Sequence, residues 1–250
     1  MNLITFLINL DGSDDRLNSA RMQLEQQGIA FTRVSAFDGR NLNLAEVSDY
    51  DEAHAISYMG RKLKGGELGC YYSHLDCARR FLASDAAHAM VLEDDMRLTE
   101  DIMPTVEHHV NWLQGNAPDW HLLHIAANKR KIYTTINQWQ GSELMHAHYF
   151  PMTTTALVWS RAGAQAFIDA HSKIFAPVDN YFRWWLTRSD KGYSVWPTLV
   201  TTTGADSDID TRQAQRKVAG RVKFYGLIKQ HRLWSDKIIA LYHKYSRYTE

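Results

Sequence analysis

The stretch Met90-Val91-Leu92-Glu93-Asp94-Asp95 constrains this chain more than any other, because an apolar run ends there in three consecutive carboxylates. An apolar segment of this length between polar flanks predicts a buried strand, and buried strands of α/β sheets open at their carboxyl ends onto a ligand crevice. In an extended segment, residues two apart project to the same side, so Glu93 and Asp95 converge while Asp94 faces away. Two carboxylates on one point repel each other unless a cation lies between them, which makes the pair a candidate for a divalent metal. A solvated acidic loop is the other reading of such a string, and position at a strand end does not by itself separate the two.

Elements alternate on either side of this stretch. Residues 3–8 read as a strand, followed by Asn9-Leu10-Asp11-Gly12 and then Ser13 as a helix cap with Asp14 and Asp15 in the first turn. That helix ends at Gly28, a second strand covers 29–35, and Asp38-Gly39 marks a turn. Residues 40–65 read as an irregular polar loop over the site, carrying Arg61, Lys62 and Lys64. Beyond it Leu68, Tyr71, Tyr72, Leu75, Ala78 and Leu82 recur at helical spacing. Glu67, Cys70, His74 and Cys77 form the neighbouring stripe, which puts Glu67 and His74 on one side, although an ordinary helix histidine fits the same spacing. A further helix runs from 102 to 115 and a strand from 120 to 126, whose His121 and His124 point to opposite faces. His146 and His148 share a strand face without a third ligand at metal spacing, so all four read as core or rim residues. A strand at 153–159 leads into a helix at Ser160. Pro177-Val178-Asp179 then delivers a carboxylate to Tyr181, Phe182, Trp184 and Trp185, an aromatic platform of the kind that sugar rings stack on. An N-cap before a core helix is the alternative for Asp179. The last strand covers 193–200, and Asp206, Asp208 and Asp210 stand in a final acidic loop.

The 250 residues, 45% of them hydrophobic, suffice for one large domain or a domain with an appendage. Cys70 and Cys77, on one helix, stand about 10 Å apart, too far for a disulfide, and the first strand lacks the basic flank of a secretory signal. No run approaches a membrane span, so a cytoplasmic protein is expected. No G-x-G-x-x-G follows the first strand and no Walker loop occurs, which argues against dinucleotide and P-loop sites. The net charge of zero hides a segregation: from Arg212 onward ten Lys or Arg face Asp236 and Glu250, giving +8 against −8 for the rest. In this tail Val218, Val222, Tyr225, Ile228, Trp234, Ile238, Leu241 and Tyr245 form an approximate apolar stripe between basic residues. The pattern suits a helix lying on an anionic membrane or packing on the chain's own acidic body. A nucleic-acid binder is the weaker alternative, since no such motif accompanies the tail's aromatics.

Several motifs resemble glycosyltransferase family 25, which includes bacterial lipopolysaccharide and lipooligosaccharide glycosyltransferases. They are Ile8-Asn9-Leu10-Asp11 with Arg16, Ala36-x-Asp38-Gly39, Gly66-Glu67-Leu68-Gly69-Cys70 with Ser73-His74, Val91-Leu92-Glu93-Asp94-Asp95, Ala156-Leu157-Val158-x-Ser160-Arg161, Pro177-Val178-Asp179 and Pro197-x-Leu199-Val200. They keep the family's order over about residues 2–210. The resemblance implies a GT-A-like nucleotide-binding α/β fold with a mixed, mostly parallel sheet over 1–211, and a basic helical tail over 212–250. It implies inverting transfer of a hexose, expected to be galactose from UDP-galactose, to a core sugar of a lipid-linked oligosaccharide on the inner face of the bacterial inner membrane. Under it, Glu93 and Asp95 hold Mn²⁺ or Mg²⁺ and Asp179 is the general base, with Asp208 in reserve. Asn9, Asp11, Arg16, Asp38, Lys62, Lys64, Glu67, His74 and Asp94 fall on the donor side. A metal-dependent nucleotide-sugar hydrolase would use the same acids with water as acceptor. Residues 130–150 carry no family signature, which leaves acceptor choice open.

Overall fold

The computed structural model describes residues 1–203 and 220–246; Asp206, Asp208, Asp210, Arg212, Val218 and Glu250, named above, lie outside them. The elements follow as β1 (Leu3–Asn9), α1 (Asp14–Gln26), β2 (Thr32–Ser35), α2 (Glu52–Met59), α3 (Gly65–Leu82), β3 (His88–Glu93), β4 (Met96–Leu98) and α4 (Met103–Asn116). The second half comprises β5 (Leu122–His124), β6 (Thr134–Trp139), β7 (Ser142–His146), β8 (Ala156–Ser160), α5 (Arg161–Ala170), α6 (Val178–Ser189), β9 (Gly192–Trp196), β10 (Val200–Thr202) and α7 (Tyr225–Ser246).

Eight strands form one sheet in the order β2-β1-β3-β8-β5-β9-β7-β6, with β10 and β4 paired apart from it. β8 and β7 run against the other six, so the sheet is mixed with one prevailing direction. Period-two alternation divides the core between its faces. Phe6, Ile8, Val91, Leu157 and Trp159 pack with Leu68, Tyr71, Phe81, Phe167 and Phe182 from α3, α5 and α6. Leu7, Met90, Leu92 and Val158 pack with Ala20, Leu24, Val106, Val110 and Leu113 from α1 and α4. β3 is buried along almost its whole length because both faces are covered by helices, which is why its sequence is continuously apolar.

The strand order sets the position of the crevice. β1 lies between β2 and β3, and the connections leaving β1 and entering β3 place α1 and α3 on opposite faces. The chain therefore parts at the carboxyl ends of β1 and β3, the topological switch point at which α/β sheets bind ligands.

Three local expectations change. The segment at 40–65 is not irregular throughout: it holds a 3-10 turn, Leu44–Glu46, and α2, capped by Asp51 Oδ1 accepting from His54 N (2.8 Å) and closed by Gly60 at φ 74°. The expected strand at 193–200 divides into β9 and β10, and β10 pairs with β4 beside the acidic turn. In the tail, the apolar stripe serves two faces. Tyr225 packs on Gly60, Arg232 lies 5.1 Å from the Tyr58 ring, and Asp236 and Ala240 are buried, with Asp236 Oδ1 2.8 Å from Arg188 Nη1. Leu227, Trp234, Ile238, Leu241, Tyr242 and Tyr245 point outward and are exposed.

Candidate active site

β3 ends at Glu93, and Asp94 and Asp95 form the turn to β4, so strand alternation does not carry across all three acids. Their surroundings differ accordingly. Glu93 Oε1 accepts from the Thr154 hydroxyl (2.6 Å), lies 3.1 Å from His74 Nε2 and has Cys70 Sγ at 3.8 Å. Burial would raise the Glu93 carboxyl, but His74 and Thr154 bring it below its ordinary value. Asp94 is 7% exposed: its Oδ2 accepts from Asn9 Nδ2 (2.7 Å) and its Oδ1 lies 2.5 Å from Arg16 Nη2. Asp94 therefore ties the acidic turn to the end of β1 and to α1. Asp95 Oδ1 is buried with no hydrogen-bond partner, and burial, then the charge of Glu93, pushes its carboxyl up to about 6.

The three acids line one cavity of about 150 Å³ together with Ile8, Arg16, Phe37, Asp38, Arg40 and Cys70. Glycines bring its walls together. A Cβ at Gly69 would sit 2.3 Å from Phe37 O, and one at Gly39 would sit 1.9 Å from Gly65 O. The loop after β2 thus rests directly on the start of α3, and the Ser73 hydroxyl accepts from Phe37 N (2.9 Å) to fix it. This close approach explains the spacing of glycines in the Gly65 to Gly69 stretch.

Of the donor-side candidates, Arg16, Asp38 and Asp94 line the cavity. Arg40 grips Asp38 through Nε (2.8 Å) and Nη2 (2.7 Å), holding its carboxyl down at about 2. Asp11 lies at the rim beside Arg33 (2.5 Å) and the Ser35 hydroxyl (2.8 Å), which lower it likewise. Asn9 is buried and acts on protein, donating to Asp94 and accepting from Arg33 Nε (2.9 Å). Lys62 pairs with Glu52 (2.8 Å) and does not line the cavity. Lys64 is the N-cap of α3: its backbone N–H donates to Glu67 Oε2 (2.8 Å), and Arg61 holds Glu67 through both nitrogens (2.5 and 2.8 Å). Glu67 therefore closes the first turn of α3. His74 is fully buried, and Glu93 occupies its Nε2.

Asp179 stands in the first turn of α6, after the cap residue Pro177, with Oδ1 accepting from Asn180 N (2.6 Å) and Nδ2 (2.9 Å). Burial raises its carboxyl, Glu67 adds to the rise, and its charge is felt in turn at Arg61 and Cys70. The structure thus brings Asp179, Glu67, Cys70 and Glu93 into one electrostatic neighbourhood. Sequence reasoning missed Thr154, Arg40 and Arg33. Nothing marked Thr154, whereas Arg40 follows the Asp-Gly turn closely enough to have been paired with Asp38.

A second cluster lies at the far end of the sheet. Asp190, with φ 52° after α6, brings Oδ1 to 3.1 Å from His146 Nε2 and 2.8 Å from His148 Nδ1, and Thr134 Oγ1 meets His148 Nε2 at 3.0 Å. The third ligand-type group absent from the sequence spacing is supplied by tertiary structure. The hydrogen bonds within the cluster tie the β6–β7 hairpin to the α6–β9 turn.

A family model described as glycosyltransferase family 25 (LPS biosynthesis protein) matches residues 2–182. The chain is 26% identical over 181 residues to procollagen galactosyltransferase 1 of Danio rerio, covering 70% of this chain and 30% of that protein. It is 24% identical over 217 residues to procollagen galactosyltransferase 2 of Homo sapiens, covering 79% and 34%. It also matches, at 27% over 124 residues covering 48% of this chain and 21% of the relative, a human protein described as inactive glycosyltransferase 25 family member 3. The chain spans about a third or less of the length of these relatives. Among solved structures, galactosyltransferase LgtC in complex with donor and acceptor sugar analogues aligns over 91% of this chain and 95% of its own, at 12% identity and a TM-score of 0.40.

Proposed function

Because the chain belongs to glycosyltransferase family 25, we propose that it moves a hexose from a nucleotide sugar to an acceptor hydroxyl with inversion, with UDP-galactose as donor and a lipid-linked oligosaccharide core as acceptor. The observation that carries this reading is the cavity at the ends of β1 and β3, where Asp95 Oδ1 is buried without a partner among acids and arginines. An orphaned carboxylate oxygen in a cleft is costly unless a ligand completes it. Glu93 and Asp95, both oxygen donors, fit a divalent cation such as Mn²⁺ or Mg²⁺. Such a cation, when bound, supplies charge neutralisation for the departing diphosphate. The chain's own residues do the rest. Arg16 and Arg40 offer cationic donors to the nucleotide, and the Gly39 to Gly69 contact shapes its floor. Asp179 takes the proton of the acceptor hydroxyl, and its raised carboxyl moves toward the pH at which a base works best.

A catalytic domain over 1–211 and a tail over 212–250 belong to the same reading, with the tail bringing the enzyme to the anionic inner face of the bacterial inner membrane, where a lipid-linked acceptor resides. No helix among the described residues is long and apolar enough to cross a membrane. The test is UDP release from UDP-galactose, with product masses recorded, in Mn²⁺ and in chelator, with and without an oligosaccharide acceptor. Acceptor-dependent release that stops in chelator is expected. Equal rates in chelator reject the metal assignment, acceptor-independent release favours a hydrolase, and no release from any nucleotide sugar rejects the transferase reading.

A further inference from the structure

A second cavity, of about 250 Å³, opens where the 150–154 loop meets α6, and Lys129, Lys131, Tyr149, Met152 and Arg183 line it. Arg183 is 9% exposed. Its Nε donates to Phe150 O (2.9 Å), Nη1 reaches Tyr149 Oη (3.4 Å), and the guanidinium carbon lies 4.6 Å from the Tyr149 ring. Lys131 Nζ lies 5.2 Å from the same ring. Among the described residues none of these three cations makes an ion pair with a carboxylate: Asp236 is held by Arg188, and Asp179, which acts on Arg183 only through its charge, accepts its hydrogen bonds from Asn180. A buried guanidinium with no carboxylate in contact is unfavourable, and the ammonium of Lys131 repels it further. An oxyanion in the cavity would give Arg183 a counter-charge in contact, on the part of the guanidinium not bonded to Phe150, while the exposed Lys129 and Lys131, which also line the cavity, add attraction.

We propose that this cavity is an anion subsite that receives a phosphate or carboxylate group carried by the acceptor. Asp179 and Arg183 stand four residues apart on α6, so their side chains share one face with Cβ atoms roughly 6 Å apart. An anion on Arg183 therefore sits beside the hydroxyl that Asp179 deprotonates in the proposed reaction, on which this assignment rests. The loop between them serves both sites: Met152 lines the subsite while Thr154 holds Glu93 in the donor cavity. Of the lining residues, Lys131 and Tyr149 fall within 130–150, where the family motifs fall silent, as a determinant of acceptor choice should.

The experiment titrates inorganic phosphate, acetate and UDP separately into the full chain and into the Lys129→Ala/Lys131→Ala double variant by calorimetry, with Arg183→Lys as a second variant that keeps the buried charge. Phosphate or acetate should bind the wild type and bind the double variant about tenfold more weakly, while UDP affinity stays the same. Preference for phosphate assigns a phosphoester, and preference for acetate a carboxylate. In turnover, KM for an anionic acceptor should rise about tenfold with kcat unchanged, and a neutral acceptor of the same sugar should show no difference. Neither anion binding the wild type more tightly than the variant would overturn the subsite. A fall in UDP affinity that tracks the loss of phosphate would assign the anion to the donor and overturn the acceptor role. The binding arms need no turnover, so failure of the transferase reading registers separately.

Discussion

Glu93, Asp94 and Asp95 are neighbours in sequence with three different physical situations, and substitutions should separate them. Asp94 holds Arg16 and Asn9 in a nearly buried pairing, so Asp94→Asn should lower unfolding free energy by about 2 kcal/mol in urea titrations. Asp95 carries an orphaned oxygen, so Asp95→Asn should leave stability unchanged or raised while removing transfer. Equal destabilisation by both would show that Asp95 is a packing residue. At Asp179, Asn should lower kcat by a factor on the order of 10² with UDP affinity unchanged, as expected for loss of a general base. Loss of UDP affinity with kcat retained would move Asp179 to the donor side and make Asp208 the next residue to test.

At the scale of elements, α7 is the one whose sequence stripe divides between two surfaces. Its inner face is committed to α2 and α6 through Tyr225, Arg232, Asp236 and Ala240, so deleting the helix would strip Arg188 of its carboxylate. Point substitution on the outer face is the cleaner probe. Trp234, Ile238 and Leu241 are 60%, 63% and 41% exposed beside Lys237, as expected of a helix that lies on an interface. Trp234→Glu with Ile238→Glu should abolish cosedimentation with anionic liposomes at about 0.1 M salt, leaving transfer to a short acceptor and the thermal midpoint unaltered. If the wild type does not sediment, this face is not a membrane surface. α2 makes the complementary point about local signals, since Asp51 and Gly60 are an ordinary cap pair that the polar composition of 40–65 concealed.

Across the whole molecule, burial holds His109, His121 and His124 down at about 4, below the ordinary 6.5 of an unfolded histidine. The unfolded chain then binds more protons between those values. Stability from these groups is complete above about pH 6.5 and is lost as pH falls toward 4, by up to about 1.4 kcal/mol per pH unit for each histidine. Urea unfolding at pH 7 and pH 5 should show the decline, and equal stability at both would mean that the three titrate in the fold as they do in the unfolded chain. What the sequence determined is whatever depends on local periodicity and on polarity against burial: the strand that ends in Glu93, the α3 stripe, the alternation that covers both faces of β3, and the family motifs carried on them. What only the tertiary structure decided is which groups meet across long separations. Thr154 on Glu93, Asp190 between His146 and His148, and Arg183 lining one cavity with Lys129 and Lys131 join residues from separate stretches of the chain. The order of strands and the packing of helices bring those partners together, and no periodicity within one segment records them.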